Sequence, residues 1–85
     1  MEEAYLLAQR AMADLKGAVY AALVASGGTG LTNAEIGRAL GIYAGHDGHQ
    51  GHIPRTILAL MQQDGTVEQD PASKRWRVRP LPNAA

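Results

Sequence analysis

The sequence predicts a mainly α-helical fold closed by one small β-hairpin. Three observations carry that expectation. Residues 53–64 place Ile53, Ile57, Leu60 and Met61 on one stripe at helical spacing, with Pro54 in the first turn and Gly65 just past the end. Residues 66–69 and 74–79 are short extended runs joined by Asp70-Pro71-Ala72-Ser73, whose composition is that of a turn. Thr32-Asn33-Ala34-Glu35 has the form of a capping box and opens a further helix.

The 85 residues allow one small domain, and 46% hydrophobic content places the chain well away from disorder. Aromatics are few (Tyr5, Tyr20, Tyr43 and Trp76), so the core must be aliphatic. With no cysteine, neither a disulfide nor a thiolate metal site is available. No apolar run approaches membrane-spanning length and no charged leader precedes one, so a cytoplasmic protein is expected. Eight basic and eight acidic residues give zero net charge, yet Lys74, Arg75, Arg77 and Arg79 crowd the last quarter. The local potential follows that cluster more than the sum.

Taken in order, residues 2–26 read as helix, rich in Ala and Leu, with Glu2 and Glu3 in the first turn where the helix dipole favours acids. Tyr5, Ala8, Met12, Leu15, Val19 and Ala22 alternate steps of four and three, the seam pattern of two packed helices. Leu6, Leu7, Ala11, Ala18, Leu23 and Val24 add a second apolar stripe. Two alternatives stand: a joint at Gly17 separates an N-terminal arm, or one long helix covers its own hairpin with the second stripe. The glycines of residues 27–30 make a connector; no Gly-Lys-Ser/Thr follows and no strand precedes them, so a phosphate loop is excluded. After the capping box, Ile36, Ala39 and Leu40 form the buried face of the second helix, Leu31 is placed as a hydrophobic staple, and Gly41 ends it.

GLTNAEIGRALGI, then an Ile-x-Arg-x-Ile-x-x-Leu helix, a glycine and a Trp-bearing hairpin, resembles the winged helix-turn-helix superfamily of DNA-binding proteins. The resemblance spans residues 16–79 and rests on pattern, with no invariant chemical motif. It implies a three-helix core plus wing over residues 16–79, an N-terminal helical extension at 1–15 serving as a dimerisation arm, and a flexible tail at 80–85. It further implies a homodimer that binds double-stranded DNA as a small transcriptional regulator. By position, Thr32 and Asn33 approach phosphate, Arg55, Thr56, Ala59 and Gln62 face the groove, and Lys74, Arg75 and Arg77 serve the wing. The chain departs from the pattern in its long connection from Gly41 to Gly51, and Leu58 and Met61 make the third helix greasier than usual. The Z-DNA-binding subgroup is excluded, because Pro54 and Leu58 occupy the positions of its asparagine and tyrosine.

The long connection holds all three histidines in a Gly-His-x repeat, at His46, His49 and His52. Three readings stay open. With Asp47 they are suitable ligand types for zinc or nickel, although the spacing matches no familiar site. His49 and His52 can instead donate to phosphates or bases beside the reading helix. In the third reading the glycines turn the chain while His52 caps the helix or packs on Tyr43.

Trp76 and Val78 alternate with Arg75, Arg77 and Arg79, which predicts one apolar and one cationic face of the strand. Trp76 is expected in the core, and Glu68 opposite the arginines to neutralise one of them. No catalytic set is evident: Glu35, Asp47, Glu68 and Asp70 are not paired, so no enzyme and no cofactor are expected. Two rivals to DNA binding remain, a protein-interaction module docking through an apolar third helix and a metal-responsive regulator sensing through the histidines.

Overall fold

The computed structural model describes residues 1–45 and 50–80. Helix α1 runs unbroken from Glu2 to Ser26, followed by a 3₁₀ turn, Gly27–Thr29. Helix α2 is Asn33–Ala39 and helix α3 is His52–Gln63. Strands β1, Val67–Gln69, and β2, Trp76–Val78, pair antiparallel with Val67 opposite Val78 and Gln69 opposite Trp76. The described chain is thus mainly helical with one small hairpin. The expected tail at 80–85 lies, but for Pro80, outside the described residues.

Of the two readings of the first segment, the single helix is found: a methyl group at Gly17 would meet nothing, so the glycine serves no joint. The second stripe covers the hairpin only near its C-terminal end, through Leu23, which joins Val67 and Trp76 in the core. Leu6, Leu7 and Val24 are each more than half exposed, and only one face of α1 is buried, through Val19 and Leu23. Met12 and Leu15 extend that face at the edge of the core.

The core joins Val19 and Leu23 of α1, Ile36 of α2, Ile57, Leu58 and Met61 of α3, Val67 of β1 and Trp76 of β2. Each aliphatic side chain fully withdrawn from water contributes about 1.5–3 kcal/mol relative to exposure. The buried arc of α3 is centred on Pro54, Leu58 and Met61, which corrects the stripe read from the sequence. Leu58 is wholly buried, whereas Ile53 is 43% exposed. The greasiness of this helix belongs to its inner face.

Trp76 fills the expected core position and does a second task through its backbone. Its N–H donates to Leu31 O at 2.7 Å and its carbonyl accepts from Leu31 N–H at 2.9 Å. Leu31 thereby adds a one-residue rung to the outer side of the hairpin. Gly30 makes the approach possible: its φ is +74°, and a β-carbon there would lie 2.5 Å from the Trp76 carbonyl oxygen. Gly37 plays the matching part on α2, because a β-carbon would sit 2.8 Å from Tyr43 and 3.1 Å from Pro54. Without side-chain bulk at Gly37, α2 lies directly on Tyr43 and the start of α3.

Candidate nucleic-acid interface

Helix α3 presents two chemically distinct faces. Pro54, Ile57, Leu58 and Met61 point inward. Arg55, Thr56, Ala59 and Gln62, the residues that the resemblance directs to the groove, are all exposed. Arg55, Ala59 and Gln62 follow one another along the helix at steps of four and three, so they share a strip about one side chain wide. Thr56 lies toward α1, lining a shallow notch with Met12, Leu15 and Ile53. Arg55 Nη2 reaches only the Gln50 carbonyl, at 3.4 Å, and meets no carboxylate among the described residues.

The start of α3 is fixed by α2. Gly51 caps α3 with φ of +85°, and its carbonyl accepts from Asn33 Nδ2 at 3.2 Å. Asn33 is therefore turned inward, and its Oδ1 is buried with no partner among the described residues. Thr32 is engaged as well: its Oγ1 accepts from the Glu35 amide at 3.2 Å while Glu35 Oε1 accepts from the Thr32 amide at 2.8 Å. The reciprocal capping box expected from the sequence is present. Both residues that the resemblance directs to phosphate thus hold the helix start.

The long connection is pinched at its base, where Gly51 N–H donates to Ala44 O at 3.1 Å. His52 is exposed in the first turn of α3. His46, Asp47 and His49 lie outside the described residues, and among those that are described no group of three metal-ligating side chains forms. Tyr43, beside this pinch, carries the Arg38 guanidinium over its ring at 4.8 Å.

The hairpin arginines are arranged differently from Arg55. Arg77 Nε donates to Glu68 Oε2 at 2.7 Å, directly across the ladder, so Glu68 neutralises the cation opposite it as expected. Arg75 Nη1 donates to Gly30 O at 3.0 Å and to Glu35 Oε1 at 3.1 Å. The Thr32 amide, foremost, and then the Arg75 guanidinium hold the Glu35 carboxyl below the ordinary carboxylate range. Arg79 lines a separate cleft with Tyr20, Asp64 and Thr66, near the end of α3. The cationic row of the sequence is thereby spread over three environments.

Lys74, like Arg79, is exposed and forms no ion pair among the described residues. It sits at φ of +65° at the close of the turn. The turn itself is held by Asp70 Oδ2, which accepts from Ser73 N–H at 2.7 Å. That amide and the Ser73 hydroxyl lower the pKa of Asp70. Sequence reasoning did not single out Arg38, which is exposed in the last turn of α2 and lies over Tyr43; its position at the exposed end of a capped helix was the available signal.

Comparison with known proteins is negative throughout: no family model, curated protein or solved structure matches the chain. Among the described residues, no helix is long and apolar enough to cross a membrane.

Proposed function

We propose that this protein is a winged helix-turn-helix module that binds double-stranded DNA, acting in the cytoplasm as a small, non-enzymatic transcriptional regulator. The observation that carries the reading is the outer strip of α3. Arg55, Ala59 and Gln62 are exposed together on a helix whose opposite face is wholly committed to the core. Those residue types match what a major groove displays. Arginine pairs with guanine, glutamine with adenine, and an alanine methyl lies against thymine. The order of elements supports the reading too: three helices followed by a hairpin, the order that the resemblance implies.

In this reading Arg55 and Gln62 address base edges, while Arg38, Lys74 and His52 stand nearest to the flanking phosphates. Arg75 and Arg77 are secondary ligands, since each must first leave a carboxylate. The protein-docking alternative loses its anchor, because Leu58 faces the core. Titration of a labelled duplex tests the proposal: Arg55→Ala should weaken binding about tenfold or more while leaving the melting temperature in place. Unchanged affinity would remove the strip from the interface.

A further inference from the structure

The buried stripe of α1 does not end where the core ends. Residues 1–11 are all exposed, and within them Met1, Tyr5 and Ala8 continue the same steps of four and three into Met12, Leu15 and Val19. Tyr5 is 63% exposed. Three turns of helix therefore overhang the body with an apolar seam facing the side of α3. Where the overhang meets the body, Met12 and Leu15 with His52, Ile53, Thr56 and Ile57 form a mostly apolar notch of about 270 Å³.

We propose that a second copy of this chain occupies that seam, its α1 running antiparallel so that each N-terminus ends in the partner's notch. Shape sets the direction. The body already lies on the stripe from Met12 onward, so a parallel partner would bring two bodies to the same end. An antiparallel partner puts them at opposite ends. The seam is also complementary to itself under a two-fold axis. One register sets Tyr5 against Ala8 of the partner subunit, large on small, and Met1 against Met12 of the partner subunit at the mouth of the notch.

The flanks agree with that register. Ala4 and Ala11 lie one heptad apart on one side, and they oppose each other across the pair, allowing close approach. Glu2 and Gln9 lie one heptad apart on the other side, so each Glu2 carboxylate meets a Gln9 amide donor of the partner subunit. A parallel pair would instead gather Glu2 and Glu3 of both copies at one end. This assembly stands on the geometry of α1, and its notch shares His52 with the surface proposed to meet phosphate.

Sedimentation velocity and directed cross-linking test it. The intact chain should sediment as a dimer, and Ala8→Glu as a monomer with unchanged helical content by circular dichroism. Ala8 is solvent-exposed, so that substitution leaves the monomer fold alone. The chain has no cysteine, which permits a register test. Tyr5→Cys mixed with Ala8→Cys should form a disulfide-linked dimer, and Tyr5→Cys alone should not. A monomeric wild type, a dimer that survives Ala8→Glu, a Tyr5→Cys chain that cross-links to itself, or a mixture that fails to cross-link would overturn the proposal.

Discussion

The outer strip of α3 and the outer face of β2 both carry arginine into solvent, and they hold it in opposite ways. On β2, Arg77 is bound to Glu68, and just before the strand Arg75 is bound to Glu35 and the Gly30 carbonyl. On α3, Arg55 has one long contact to a backbone carbonyl and no acid beside it among the described residues. The sequence makes β2 look like the more cationic element, yet α3 offers the freer charge. An arginine is available to a phosphate or base only to the extent that its own fold has not already satisfied it.

The difference extends to what lies beneath. The strip on α3 rests on a fully buried inner face, so its backbone position is set by packing. Replacing Leu58 with Asp places a carboxylate where the core leaves no water, and this should be the largest effect of all: loss of cooperative unfolding by circular dichroism. A folded Leu58→Asp chain would mean that α3 presents a different face to solvent, and the contrast with β2 would collapse.

The charge pairing on β2 gives the next test. Arg77→Ala should weaken duplex binding by less than Arg55→Ala does, and Glu68→Gln, which frees Arg77, should tighten it by a few-fold. An Arg77→Ala effect exceeding that of Arg55→Ala would reverse the ranking of the two elements.

Lys74 separates stability from binding within the hairpin. Its φ of +65° crowds a β-carbon against the backbone, so Lys74→Gly should stabilise the fold by about 0.5–1 kcal/mol in denaturant titrations. The same substitution removes a free cation and should lower duplex affinity modestly. A destabilised Lys74→Gly would show that the turn prefers the lysine for another reason.

The smallest effect is in acid. Glu35 and Asp70 both have folded-state pKa values held below the ordinary range, Glu35 mainly by the Thr32 amide and Asp70 mainly by the Ser73 amide. Their contribution is complete above the unfolded carboxylate range of about 4 and is lost as pH falls through the lowered folded values. Melting temperature should therefore hold level from neutrality to about pH 5 and decline below about pH 4. Glu35→Gln should shallow that decline; a melting temperature that rises on acidification would contradict the roles given to both carboxylates.

Much of this architecture is local chemistry, and local chemistry is readable. The Thr32–Glu35 box, the stop at Gly65, the turn at Asp70 and the alternation that sends Trp76 inward each lie within a few residues of their cause. The centre of the buried arc on α3 was less accessible. Apolar residues from Ile53 to Met61 cover so wide a sector that spacing alone does not choose between Ile53 and Leu58. Tertiary packing against α1, α2 and β1 makes that choice. The partners of the hairpin cations divide on the same principle. Glu68 is Arg77's cross-strand neighbour and was foreseeable, whereas the Arg75–Glu35 pair spans 40 residues and depends on the Leu31 rung.

The most direct test is a binding titration on random-sequence duplex DNA at two salt concentrations, with wild-type protein and Arg55→Ala side by side. DNA binding through free surface cations predicts a wild-type affinity that falls steeply as salt rises, and a shallower slope, by about one, for Arg55→Ala. No binding at low salt, or a wild-type affinity indifferent to salt, would contradict it.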